Sequence, residues 1–536
     1  MPALDSAVVT RPRALLAVIL LGGAALRFWA IGFGLPYPEA RPDETTIVIT
    51  STGLLYGGMN PHFFHWPSLM FYIVAAVYRI GWEIGHLQGH FVLKFDMFKD
   101  AAGHAGPYIM VARVIAAASG TLTIWLVYKL ALRLFDRLTA ITAAFFVAAA
   151  FLHVRDSHFG VTDVPMTALV GAAMLPLATL LGDPTRVKTW VFAGALAGLA
   201  ASTKYNGGVV AASGVAVAMV HLASGGATAQ RDAARGLAAY AGAALIAFLA
   251  GTPYALLDWP HFIEGLRFDA SHLMEGHGVV LGRGWRYHLT FSLWYGLGAP
   301  LLIAALAGLA VVWRSWRKAI LLCSFPLLYF FVVGRGYTVF VRYITPVVPF
   351  LCLAAAIFVV ELTRRIVAPA RLPGAVAAIA VLIVWPSLVR DWRFDRLVGQ
   401  TDTRVLAADW VNARLKPGEW LYQAPAAFLY PDFGAPKPAN LAAFDSARGA
   451  FVDPAGAVVQ PAWIAIAESP LASYTALPAG LQEVLTGTYA TVEAFAPSRD
   501  NEPGSWFDQQ DLFFAPYVDF GLRERPGPSI RILQRK

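Results

Sequence analysis

The chain has 536 residues, of which 57% are hydrophobic and only 14% are charged. An ordinary soluble domain carries about 25% charged residues, so this composition excludes a soluble fold. The formal net charge is +8, but the basic residues lie in short clusters between apolar stretches and do not form one stripe. Such clusters are typical of membrane topology signals and argue against nucleic acid as a partner.

Apolar stretches long enough to cross a hydrocarbon layer as helices, about 20 residues each, recur along the first part of the chain. Residues 67–85 form another apolar segment, but if it crossed the membrane, the later basic loops would face away from the basic N-terminus. We therefore assign it to the membrane surface. About eleven transmembrane helices are predicted, beginning near Ala14, Tyr108, Thr139, Val164, Trp190, Gly207, Gly236, Leu289, Ala319, Ile344 and Gly374.

The predicted fold is a mainly α-helical polytopic membrane protein with juxtamembrane helices and a C-terminal extracytoplasmic α/β domain. The transmembrane domain is expected over residues 1–390, with a first outer loop at 34–107, and the soluble domain over residues 391–536. Residues 190–222 would be about 50 Å long as one helix, so two helices are predicted to meet at residues 204–208. In the soluble part, a helix is predicted at 402–415 and strands at 420–424, 463–467, 511–515 and 530–533.

Asp43 and Glu44 follow the first apolar span directly. One interpretation is helix capping, with Asp43 accepting backbone hydrogen bonds ahead of a helix. The other is a catalytic role, because a carboxylate at the membrane surface can act as a general base and take a proton from an attacking hydroxyl. The topology assigned from the basic loops favours the second interpretation for Asp43, since it places the acidic pair on the same side of the membrane as other polar groups.

Two further groups of polar residues are predicted on that face. His153 to His158 precede Thr162-Asp163, which open a span, and they exceed what a helix cap requires. Lys204 stands in an irregular stretch with two glycines, where an ammonium could bind an anion. The remaining candidate cations and the histidine pair in the outer loops are Arg283, Arg286, Arg335, Arg342, His62 and His65.

A phosphate-bearing ligand would account for these outer cations. The histidine pair at positions 62 and 65 lacks a local carboxylate, so hydrogen bonding to substrate, or simple placement at the membrane interface beside Trp66, is favoured over metal ligation. No metal residue is assigned, although a divalent metal stays open as a cofactor. The two cysteines, Cys323 and Cys352, lie inside apolar stretches and offer neither a disulfide framework nor a zinc site.

In chain order, these motifs resemble those of the GT-C superfamily of membrane glycosyltransferases. The chain is most similar to the bacterial branch related to protein O-mannosyltransferases and lipid A aminoarabinose transferases. The resemblance covers the membrane portion. The motifs that carry it are Asp43-Glu44, His65-Trp66-Pro67-Ser68-Leu69, Thr162 to Thr167, Ser202 to Asn206, and Arg342-Tyr343 ahead of Pro346 and Pro349.

The resemblance implies transfer of a sugar from a polyprenyl-phosphate-linked donor to an acceptor outside the cytoplasm, usually with inversion. The acceptor would be a lipid, a glycan or a protein, and membrane lipids would be the other partners. Where protein O-mannosyltransferases have a His-Pro-Pro-Leu-Gly-Lys type of stretch, this chain has His65 to Met70, which puts a protein acceptor in doubt. The alternative is a transporter or flippase of lipid-linked saccharides, which predicts repeated halves that the sequence does not show.

The implied site has three parts. Asp43, Glu44 and Asp163 are the catalytic candidates, with Asp43 acting as base or orienting the acceptor. The donor phosphate would bind to cationic and phenolic groups, namely Lys204, Arg283, Arg286, Arg342 and Tyr343. Such groups stabilise the phosphate more strongly as negative charge develops on it during departure. The cavity wall would include His65, His158 and Asp156. A bacterial inner-membrane location is expected, with the N-terminus cytoplasmic and the site and C-terminal domain periplasmic.

Overall fold

The computed structural model describes residues 3–433, 440–473, 475–498 and 505–536, with side chains described from residue 13 onward. A helix is present at every position where a span was predicted. Among the described residues, seven helical segments are long and apolar enough to cross a membrane, or eight if one bent pair counts as a single span. The helices at the predicted positions are Ala3–Phe28, Ala105–Leu134, Arg137–Ala148, Asp163–Leu180, Val187–Thr203, Ala211–Ser224, Ala227–Gly251, Ala299–Val312, Trp316–Gly334, Val348–Ile366 and Leu372–Val398.

Two of these positions are irregular. The expected break in the long apolar run is confirmed, because Val187–Thr203 ends at Lys204 and a 3₁₀ turn, Tyr205–Val210, leads into the next helix. The span expected from Leu289 is not straight, since its two halves meet at an angle of 116°. Gly298 lies at the bend with φ +77°, a left-handed conformation that a side chain would oppose.

Outside the apolar spans, helices form a layer at the end of the bundle where Val187–Thr203 breaks. Leu69–Leu87 packs in one apolar cluster with the first outer helix, Pro42–Tyr56, and it is not among the segments that pass as spans. Its surface position stays a prediction, because Arg137–Ala148 and Val187–Thr203, which lie at predicted spans, are not among those segments either. The other short helical elements are Pro38–Ala40, Lys94–Gly103, Phe151–Asp156, Tyr254–Leu257, Trp259–Glu275, Gly284–Tyr287, the π-turn His288–Leu293, Trp294–Leu297, Val341–Val347 and Pro369–Arg371, with Ala427–Leu429 and Phe520–Leu522 in the C-terminal part.

The C-terminal part carries a five-stranded mixed sheet. A helix, Thr403–Asn412, precedes it, and the Asp402 side chain caps this helix by accepting a hydrogen bond from the amide of Arg404. A further helix, Leu481–Thr488, and a two-stranded sheet, Ala443–Asp445 with Ala450–Val452, complete this part. In spatial order the five strands are Asn440–Leu441, Trp420–Ala424, Trp463–Glu468, Ser529–Arg535 and Tyr489–Phe495.

Residues 505–520, which we call the returning segment, leave this sheet and pack into the membrane portion. A strand was predicted at residues 511–515, and that prediction is wrong. Phe513 packs edge-on against Phe33 and Phe159, with ring centroids 5.5 and 4.8 Å apart. The hydroxyl of Tyr517 donates a hydrogen bond to the carbonyl oxygen of Ser292 at 2.7 Å. The alternating apolar residues of this segment therefore serve a tertiary contact and not a sheet.

The last apolar helix, Leu372–Val398, continues past the boundary expected at residue 390. The returning segment also shares the hydrophobic cluster of the membrane portion. The two predicted domains are thus linked by packing as well as by chain, and their boundaries stay a prediction.

Candidate active site

A cleft of about 290 Å³ opens where the outer helices meet the returning segment. Its walls come from parts of the chain that are far apart in sequence. Asp43 contributes from the start of Pro42–Tyr56, Arg342 and Tyr343 from the turn Val341–Val347, and Asp511 from the returning segment. His65 lies on the opposite wall, stacked on Phe268 with ring centroids 3.9 Å apart.

Asp43 lies in the first turn of its helix and does not cap it. The cap position is Arg41, which is extended, and Pro42 starts the helix. The Asp43 side chain is 32% exposed, and its Oδ2 lies 2.7 Å from Nη2 of Arg342. Burial raises the pKa of Asp43 to about 6, although the nearby Arg41 opposes the shift. The carboxylate therefore faces the cleft and can hold a proton at mildly acidic pH.

Lys204 and Asp163 lie just behind the cleft wall, next to Arg342 and Tyr343. Nζ of Lys204 donates to Oδ1 of Asp163 at 2.6 Å and lies 4.6 Å from the centroid of the Tyr343 ring. The other carboxylate oxygen of Asp163 lies 3.9 Å from Nε of Arg342. Both residues stand where a helix ends or begins, because Lys204 follows Val187–Thr203 and Asp163 starts Asp163–Leu180. The structure thus joins four of the predicted residues in one charged cluster.

Asp511 is a functional candidate that sequence reasoning missed. Its carboxylate pairs with Arg41, lies 3.3 Å from Nη1 of Arg342, and lies 3.7 Å from Nη2 of Arg155. The amide of Val341 donates to the neighbouring Asp508 at 2.7 Å, which holds the returning segment against the turn that carries Arg342. No local motif marks Asp511 because its partners are up to 470 positions away.

Glu44 is not part of the cleft. It is fully buried, and its carboxylate accepts hydrogen bonds from Nε and Nη2 of Arg113 at 2.6 to 3.0 Å and from the amide of Gly160 at 2.7 Å. Arg113 also donates to the carbonyl oxygens of Ile31 and Phe33, both at 2.8 Å. The predicted catalytic pair therefore divides into a cleft residue and a structural residue.

His158 and Asp156 lie behind the cleft and are fully buried. The ring nitrogens of His158 are 3.0 and 2.9 Å from the carbonyl oxygens of Val154 and Trp29, so the ring faces backbone acceptors in the interior and not the cleft. Asp156 pairs with Arg155 at 2.8 Å. The structure does not place them in the cavity wall, because the helix Phe151–Asp156 and the turn after it carry both residues into the protein interior.

Arg283 and Arg286 are exposed and do not line the cleft. The guanidinium of Arg283 lies over the rings of Trp285 and Tyr337, at 5.8 and 5.4 Å from their centroids. Sequence position alone placed them with the phosphate-binding residues, because both lie in a predicted outer loop. The structure does not bring them to Lys204.

The helix Trp259–Glu275 adds polar groups that sequence reasoning also missed. Asp269 and His272 line the cleft from this helix, and His277 follows it. Burial raises the pKa of Asp269 and lowers the pKa of His277. In the part of the chain that the structure describes, no group of three or more His, Cys, Asp or Glu side chains is arranged to hold a metal ion.

Three comparisons with known proteins address the fold. Residues 105–255 match the family model described as dolichyl-phosphate-mannose-protein mannosyltransferase. A comparison with curated proteins finds no match. Among solved structures, ArnT from Cupriavidus metallidurans in the apo state has a TM-score of 0.56 at 15% identity, and the alignment covers 99% of this chain and 98% of ArnT. A second structure of that protein, bound to undecaprenyl phosphate, aligns with the same TM-score at 14% identity, over 98% of each chain.

The oligosaccharyltransferase of Archaeoglobus fulgidus is also similar, with a TM-score of 0.50 and 15% identity. The alignment covers 75% of this chain and 58% of that chain, so this protein spans little more than half the length of the archaeal enzyme. At these identities the likeness concerns the fold. The chain is a multi-pass membrane protein with the fold of the GT-C glycosyltransferases, and the resemblance inferred from its motifs is confirmed.

Proposed function

We propose that the protein transfers a sugar from a polyprenyl-phosphate-linked donor to an acceptor on the cleft side of the membrane, with inversion. The observation that carries the proposal is the position of Asp43 among cations in a cleft. Its side chain is 32% exposed, whereas those of Asp163 and Asp511 are 2% and 4% exposed. Of these three carboxylates, Asp43 is the one that an acceptor hydroxyl can reach.

The cations around Asp43 supply the second requirement. Departure of a sugar leaves negative charge on the lipid phosphate, and preorganised cations stabilise that charge most in the transition state. Lys204 and Arg342 lie on either side of Asp163, and Tyr343 adds a hydroxyl. Each of these cations already pairs with a carboxylate. A bound phosphate would therefore interact with Arg342 while Arg342 still contacts Asp43 and Asp511.

The comparisons support the donor class. One ArnT structure with this fold contains undecaprenyl phosphate, and the matching family model is named for a dolichyl-phosphate-mannose donor. The proposed location is the bacterial inner membrane, with the cleft and the C-terminal part outside the cytoplasm. A reporter fused after Lys536 tests this orientation, because a cytoplasmic signal would overturn it.

Donor consumption tests the chemistry. Purified protein is incubated with a panel of polyprenyl-phosphate sugars, and release of the polyprenyl phosphate is measured for wild type and Asp43→Asn. Loss of a general base costs about 10² to 10⁴ in rate, so Asp43→Asn should be nearly inactive. Asp409→Asn is the matched control, because Asp409 is an exposed carboxylate on Thr403–Asn412. Equal turnover in wild type and Asp43→Asn would refute the role of Asp43.

A further inference from the structure

A long groove runs along the membrane portion on a different side from the cleft. It lies between the helices Ala3–Phe28, Arg137–Ala148 and Leu372–Val398, and its main part has a volume of about 930 Å³. Most of the side chains that line this part are aliphatic, with Arg137, Thr142 and Phe145 also in the wall. The backbone of Gly22 is exposed there. A second cavity of about 520 Å³ continues it and shares Gly22 and Leu26.

The groove ends at a cluster of arginines. A third cavity of about 560 Å³ shares Trp392, Arg396 and Gln400 with the second cavity, so the three form one path. The cluster consists of Arg393, Arg396, Arg523 and Arg525, with Glu524 also in the wall. Within the described ranges, none of these four guanidinium groups forms an ion pair, whereas the cations of the cleft are all paired.

We propose that the groove and this arginine cluster bind one anionic membrane phospholipid, with its acyl chains in the groove and its phosphate at the arginines. A cluster of unpaired arginines at the end of a transmembrane helix is complementary to an anionic lipid headgroup. A soluble anion would satisfy the arginines but would leave the groove unfilled. A lipid satisfies both parts, because its charged and apolar ends are joined.

The dimensions fit a lipid chain. Leu15 lines the far end of the groove and Trp29 the end beside the arginines. Fourteen helical steps separate these residues, which is about 21 Å along the helix. A lipid tail in one leaflet reaches about 15 Å, half of the hydrocarbon thickness, so it fits within the groove. Trp29 and Trp392 are both exposed at the headgroup end, where tryptophan is enriched at membrane interfaces.

The site is separate from the cleft. The two share no lining residue, and a wall of packed rings stands between them, with Phe394 5.2 Å from His158 and 6.3 Å from Phe513. Two arginines of the cluster belong to the helix Leu372–Val398, while Arg523 and Arg525 follow the returning segment. A bound phosphate would therefore join the membrane portion to the segment that carries Asp511.

Native mass spectrometry of the full chain, purified in detergent, tests the headgroup. Phosphatidylglycerol and phosphatidylcholine are added separately, and the wild type should retain one phosphatidylglycerol in preference to the zwitterionic lipid. Arg393→Gln/Arg396→Gln should weaken this retention on the order of tenfold. Arg365→Gln/Arg371→Gln is the matched control, because it removes two exposed arginines from the other end of the bundle and should leave retention unchanged.

A second pair of variants tests the groove. A Cβ added at Gly22 meets no atom within 4 Å, so Gly22→Phe fills the groove without disturbing the core and should also weaken retention. Gly242→Phe is its control, since Gly242 is equally open on Ala227–Gly251. Equal retention of the two lipids by the wild type would overturn the proposal. So would loss of phosphatidylglycerol in both arginine pairs alike, or unchanged retention in Gly22→Phe.

Discussion

The substitution Glu44→Gln separates structural from catalytic roles within the acidic pair. The Glu44 side chain accepts three hydrogen bonds from Arg113 and one from the amide of Gly160, all fully buried. Removing its charge leaves the Arg113 guanidinium buried without a counterion, and breaking such a pair costs about 3 to 5 kcal/mol. The free energy of unfolding should fall by that amount in a graded SDS titration of the purified protein.

A double-mutant cycle sharpens this test. Glu44→Gln/Arg113→Leu removes both charges, so its loss of stability should be smaller than the sum of the two single losses, by about 1 to 3 kcal/mol. Asp43→Asn should show the opposite profile, with turnover lost and stability nearly unchanged. If Glu44→Gln were as stable as wild type but inactive, the structural assignment of Glu44 would be wrong and the pair would share the chemistry.

Three other outcomes follow from the cleft. The pKa of Asp43 is raised to about 6, and a general base acts in its deprotonated form. We therefore expect kcat/KM to be constant above pH 6 and to fall about tenfold per pH unit below it. A flat profile down to pH 4 would contradict this. Asp511→Asn removes the carboxylate between Arg41 and Arg342, so limited proteolysis within the returning segment should become on the order of tenfold faster, and unchanged cleavage would argue against that anchor. Arg286→Gln should leave the KM for the donor unchanged in the release assay, and an increase in KM would support the sequence prediction that Arg286 contacts the donor phosphate.

The apolar pattern predicted the helical fold because a membrane imposes one requirement on every span, namely about 20 apolar residues with internal hydrogen bonds. The break at Lys204 was predictable for the same reason, since its flanking run is too long for one crossing. The bend at Gly298 was not predictable, because a glycine two residues before a proline, here Pro300, also occurs at the start of a straight helix. Its angle depends on the packing around it.

The site was predictable where function requires a charged residue beside an apolar span. Asp43, Asp163, Lys204 and Arg342 met that condition, and the structure brings them together. Glu44 met it as well, but its partner Arg113 was counted as part of a span. Asp511 lay in a stretch whose alternating apolar residues indicated a strand, and only tertiary contacts distinguish a strand from a segment packed into a bundle.

The returning segment also affects how the protein is made. Arg41 and Asp511 are 470 positions apart, so the cleft lacks one wall until residue 511 has been synthesised. The membrane helices described above precede Asp511 in the chain, so they are synthesised before the carboxylate that organises Arg41 and Arg342. A chain that stops before residue 505 would keep the membrane helices described above and still lack a finished site, so such truncated products would occupy the membrane without an assembled cleft.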